Sequence, residues 1–148
     1  MLPGNVYYYF KTREELIRAV IDSHAEAVHA LLGRYERVAD PRERLKGLAH
    51  SWVDVADLVA NHGCPIGSLS LELNKRENGL GEAAGHLFRI MLDWAEAQFR
   101  VLGRPDPRAD AVTLLGGVQG AALLANALRD SELLAAETRR LEAWIDAL

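Results

Sequence analysis

The chain has a single cysteine, Cys64, in 148 residues. One thiol excludes an intramolecular disulfide and any zinc site built on cysteine pairs. Only five prolines occur, and long strict alternations of apolar and polar residues are absent, which argues against strands. No run of eighteen apolar residues is present, so no transmembrane helix is expected. Met1 to Phe10 lacks a basic segment followed by an apolar stretch and a cleavage site. No secretory signal is therefore expected, and the cytoplasm is the expected compartment. Positive charge is not in excess: 17 Lys and Arg stand against 21 Asp and Glu, a net charge of -4. The whole chain is thus not a basic nucleic-acid-binding protein, and only a local basic face is left open.

What is present points to an ordered helical domain. Hydrophobic residues make up 49% of the chain and charged ones 26%, with a mean hydropathy of -0.06. A chain of this length buries about 68–70% of its unfolded surface and needs no metal or disulfide to hold together. Apolar residues recur at helical spacing, so the expected fold class is all-α. Thr12 with Glu15 three residues on predicts a capping box and a first helix to about Gly33, its stripe including Leu16, Ile17, Val20, Ile21, Val28 and Leu32. Asp40-Pro41 predicts the start of a second helix that runs on to Asn61-His62-Gly63. Pro65 to Lys75 reads as a short helical segment, Asn78-Gly79 with Gly81 as a loop, and Glu82 to Leu102 as the next helix. Gly103 to Pro107 is a break, and Ser131 is the expected cap of the last helix. From Arg108 to Arg129 the sequence is apolar on nearly every side, so that helix must be covered all round. In so small a domain part of the cover is expected from a second copy, with Gly116, Gly117 and Gly120 permitting close approach.

The first residues differ from the rest. Tyr7, Tyr8 and Tyr9 are three of the four tyrosines, with Lys11, Arg13 and Arg18 just after them. Aromatic hydroxyls beside a cationic helix start suit contact with a DNA backbone; a tyrosine-rich surface turn is the plainer alternative. The order Gly4-Asn5-Val6-Tyr7-Tyr8-Tyr9-Phe10-Lys11-Thr12-Arg13-Glu14-Glu15-Leu16 resembles the signature of TetR-type transcriptional regulators over about thirteen residues. The resemblance implies a recognition-helix end, with Gly4, Asn5, Tyr7, Tyr8, Tyr9, Lys11 and Arg13 contacting DNA and Val6 and Phe10 packing the small domain. It also implies two preceding helices, and the chain begins inside the motif. Residues 1–11 are therefore expected to be a remnant of the DNA-binding domain, with operator DNA a partner where the missing helices are present. Met1 to Phe10 are expected to be poorly ordered without them.

A second resemblance lies farther on. Gly63-Cys64-Pro65-Ile66-Gly67-Ser68-Leu69-Ser70-Leu71-Glu72-Leu73 is similar to a segment of one TetR subgroup, and Gly120-Ala121-Ala122-Leu123-Leu124-Ala125 to its interface motif. The resemblance implies that residues 12–148 form a ligand-binding and dimerisation domain. The implied homodimer surface comprises Leu115, Gly116, Gly120, Leu123, Leu124, Ala127, Leu141, Trp144 and Ile145, in a four-helix interface. The implied ligand pocket involves Trp52, Cys64, Leu69, Leu73, Phe88, Leu92 and Gln119 and would take a small apolar or aromatic effector.

Each pocket residue also has a plainer reading. Trp52, Phe88 and Leu92 sit at core spacing. Cys64 is either a thiol sensor or a small packing residue, and no cation or second cysteine stands next to it. Gln119 in an apolar helix needs a partner, which is ligand or backbone. Glu72 faces the pocket or the surface. His24 and His29 are five apart and do not share a helix face. His62 and Cys64 lack an orienting third residue, so neither catalysis nor a metal or cofactor is expected. The expected function is a ligand-responsive TetR-type repressor of the DNA-binding kind. The alternative is a helical homodimer that binds small molecules without DNA binding of its own.

Overall fold

The computed structural model describes residues 9–75 and 79–148. Gly4, Asn5, Tyr7 and Tyr8, and the expected disorder of the first residues, lie outside this range. Among the described residues there is no strand. The helices are α1 (Arg13–Tyr35), α2 (Pro41–His50), α3 (Ala56–His62), α4 (Pro65–Asn74), α5 (Leu80–Val101), α6 (Pro107–Leu128) and α7 (Glu132–Asp146), with a 3-10 turn at Val53–Val55.

Helix α6 is the centre, packed against α5, α7 and α3; α5 in turn carries α1 and α4. The reason lies in the composition of α6. Ala111, Leu114, Val118, Ala121, Ala122 and Ala125 recur at three and four residues and are all buried. By length and composition alone α6 is apolar enough to cross a membrane, a test that the core helix of a globular domain also passes. Here its buried face fills the main core, against Phe99, Leu134, Leu141 and Ile145. A smaller core of Ile21, Leu73, Leu80, Ala84 and Leu87 joins α1, α4 and α5.

The helix starts follow the sequence closely. Thr12 Oγ1 accepts from the Glu15 amide at 3.1 Å, and Glu15 Oε2 accepts from the Thr12 amide at 3.3 Å, completing the capping box. Asp40 Oδ1 accepts from the Arg42 amide at 2.8 Å with Pro41 at the first helical position. Other boundaries differ from expectation. α1 runs past Gly33 to Tyr35, because Tyr35 is drawn against Gly47 and against Trp94, its ring centroid 6.4 Å away. The expected single helix from Asp40 to Asn61 is broken after His50. Ser51 Oγ donates to the Leu48 carbonyl at 2.7 Å, and the β-branched Val53 and Val55 follow, with Val55 leaving helical geometry at φ -122°. Ser131 stands at the N-cap of α7 as expected, but its side chain makes no cap bond; the Glu132 amide donates instead to Asp130 Oδ1 at 3.0 Å. Gly81 is in the first turn of α5 rather than in a loop.

The α1–α2 loop is held by one guanidinium. Arg44 donates to the carbonyls of Val38 (2.6 Å) and Glu36 (3.2 Å) and to Oε1 of Gln98 (3.0 Å). Gln98 is only 6% exposed, so this is the bond that satisfies its buried oxygen. Arg44→Ala is expected to cost about 1–3 kcal/mol in thermal unfolding, chiefly by orphaning Gln98. Arg44→Lys should recover only part of that, since an ammonium lacks the planar fork.

Candidate functional site

Two cavities and one surface groove meet the helices that the sequence singles out. The first cavity, about 430 Å³, lies between α3, α4, α5 and α6. Of the residues expected to line a pocket, Cys64, Phe88 and Gln119 are in its walls. Small residues make the space. Gly63 turns the chain at φ +82°, where a side chain would be strained and would meet Ser68 Oγ at 2.9 Å. Gly67, in the first turn of α4, leaves room for the Gln119 amide. Gln119 Nε2 donates to Cys64 Sγ at 3.6 Å. Asn126 Nδ2 donates to the Ala60 carbonyl at 3.1 Å, tying α6 to α3. Ser70 is 7% exposed and its hydroxyl has no partner among the described residues.

The second cavity, about 340 Å³, lies beneath α1. Trp52 is here, with Val28, Leu31, Ile66 and Met91, and Cys64 borders this space as well as the first. Its polar groups are His24, Arg34, Ser51 and Asp54, beside Tyr35. Burial pushes the Tyr35 hydroxyl above its ordinary range, Arg34 opposing and Asp54 adding to the shift. Leu69, Leu73 and Leu92 wall neither cavity. Leu73, 3% exposed, and Leu69 belong to the smaller core, and Leu92 packs on the larger one.

The groove runs between α6 and α7, lined by Gly116, Gly117, Gly120, Leu124, Leu133 and Ala136. Ala127, Leu123 and Leu124 are exposed on the same helix. Leu115, Leu141 and Ile145, by contrast, are buried within the protomer. All three belong to the main core rather than to the groove's lining. Trp144 is half-buried, its ring 5.7 Å from Phe99. At the groove's edge the Arg140 guanidinium holds the Glu137 carboxyl below the ordinary carboxylate range, against an opposing effect of burial. Tyr9, Lys11 and Arg13 are exposed before and at the start of α1.

Sequence reasoning missed Ser70, Asn74 and Asn126. Asn126 follows Gln119 by seven residues, two turns along α6, so their shared face was a readable signal. It also missed that Leu123 belongs to both places: it is 65% exposed beside the groove and borders the first cavity. Among the described residues no group of three or more His, Cys, Asp or Glu is placed to hold a metal ion.

Residues 41–139 match the family described as "Transcriptional regulator LmrA/YxaF-like, C-terminal domain", a TetR C-terminal domain. An HTH-type transcriptional regulator in the lacX 3' region of Lactococcus lactis subsp. lactis is 29% identical over 140 residues, covering 88% of this chain and 70% of that protein. The crystal structure of a TetR transcriptional regulator from Legionella pneumophila superposes with a TM-score of 0.82 at 16% identity, over 97% of this chain and 79% of that one. At that identity the likeness concerns the fold.

Proposed function

The chain belongs to the TetR-type transcriptional regulators of the LmrA/YxaF-like kind, and from that premise we propose that it is a ligand-responsive repressor whose residues 12–148 bind an effector and dimerise. The carrying observation is the first cavity, roomy, mostly apolar and set with a few neutral polar side chains. The effector is a small apolar or aromatic molecule held by Phe88, Cys64 and Gln119. The homodimer forms through the exposed glycine groove of α6 and α7. Residues 1–11 belong to the DNA-binding domain, with Tyr9, Lys11 and Arg13 lying toward DNA. Five residues of α1 border the second cavity and none the first. Effector binding therefore reaches α1 through the Cys64–Ile66 junction between the two spaces, and α1 resets the separation of the recognition helices.

Hydrogen exchange on the dimer tests this. An apolar aromatic ligand that saturates at one per protomer should slow exchange at residues 63–74 and change it along α1. Binding that leaves α1 untouched would remove the proposed route.

A further inference from the structure

We propose that the first cavity selects an uncharged ligand bearing a hydrogen-bond donor on an apolar body, and that Gln119 sets this selectivity. The proposal rests on the reading of that cavity as the effector site. Ser68, Ser70, Asn74, Gln119 and Asn126 supply its polarity, and none of them carries charge. Among the described residues no Asp, Glu, Lys, Arg or His borders it, whereas His24, Arg34 and Asp54 border its neighbour. An ion entering the first cavity leaves water and meets no counter-charge, an unfavourable exchange that an uncharged body avoids.

The unused hydrogen-bonding capacity has a direction. Gln119 Nε2 is engaged with Cys64 Sγ at 3.6 Å, and among the described residues no donor is paired with its Oε1. Gly67 leaves that oxygen its space: a Cβ there would stand 3.2 Å from it. Asn126 Nδ2 is likewise engaged, with the Ala60 carbonyl, which leaves Oδ1 as a second acceptor. Two amide oxygens that cannot donate ask the occupant for N–H or O–H groups. The Ser70 hydroxyl, buried without a partner, can serve either way.

Three probes of one shape test the claim: 1-naphthylmethanol, 1-naphthylmethylamine as its ammonium at neutral pH, and 1-naphthoate. Calorimetric titration of the whole chain should show the alcohol binding at least about tenfold more tightly than either ion. Gln119→Glu should tighten the ammonium about tenfold and not the alcohol, by supplying the missing counter-charge. Gln119→Leu should weaken the alcohol about tenfold and help neither ion. Equal binding of the three probes by the unaltered chain, or an ammonium that binds best, overturns the charge selectivity while the cavity stands as a ligand site. That ranking needs no variant to fold. An unchanged order in a folded Gln119→Glu chain overturns the role of Gln119. If none of the probes binds or alters exchange at residues 63–74 and 119–126, the effector reading fails and the selectivity with it.

Discussion

Gly120→Arg should convert the proposed homodimer into a folded monomer. A Cβ placed on Gly120 meets no heavy atom within 4 Å, and the same holds for Gly116. The protomer therefore has room for a side chain, and an arginine in place of glycine raises helix propensity by about 0.5–1 kcal/mol. A second copy would not have that room. Seated in the groove beside Leu124, it would meet two symmetry-related guanidinium groups without partners. The dissociation constant should rise by at least about a thousandfold, read by light scattering on a sizing column. Gly117→Arg is the control that separates packing inside a protomer from packing between protomers. Its Cβ would stand 2.8 Å from Glu137 Oε1 and 3.2 Å from Leu141, so that variant should lose stability rather than only association. Because Leu123 borders the first cavity and also stands exposed by the groove, the Gly120→Arg monomer should bind the effector more weakly than the dimer. Unchanged self-association would show that the groove faces something other than a copy of the chain.

The same helix shows what the sequence could tell and what it could not. That Arg108–Arg129 needed cover on every side followed from its composition. Which side a neighbouring helix covers did not, since Leu115 and Leu124 look alike in a hydropathy pattern. The fold settles it: Leu115 is 4% exposed and Leu124 53%. Start signals such as Thr12 with Glu15 and Asp40 with Pro41 were legible because a cap is a local contact between residues a turn apart. The break at Ser51 was not, because its hydroxyl bond to Leu48 competes with a helix that the apolar stripe alone would continue. Of the cavity, Cys64, Phe88 and Gln119 were legible and Leu69, Leu73 and Leu92 misplaced. Apolar spacing finds the inward face of a helix but does not tell a cavity wall from a filled core. Gln98 escaped notice because its partner, Arg44, is 54 residues away.

Gly81→Val should destabilise the protein more than any other glycine substitution within α5, and it should disturb the cavity as it does so. Gly81 sits in the first turn of α5, where the helix presses on the end of α4. A Cβ there would lie 2.3 Å from Asn74 Oδ1 and 2.9 Å from the Asn74 Cα. The side-chain oxygen can swing away, but the Cα cannot move without shifting α4. Relieving the clash means parting α4 from α5 at Leu73 and Leu80, which are 3% and 0% exposed. Overpacking of this kind costs about 3 kcal/mol. For a chain of this size that lowers the melting temperature by roughly 10 °C. Gly85, one turn on, gives the opposite sign: nothing lies within 4 Å of its Cβ position, so Gly85→Ala should stabilise by about 0.5–1 kcal/mol through helix propensity. Asn74 borders the first cavity, so the strain at Gly81 reaches the ligand site as well. Gly81→Val should weaken the binding of an uncharged probe even at temperatures where the variant stays folded. Equal melting temperatures for Gly81→Val and the parent chain would mean that α4 and α5 are not packed in this register.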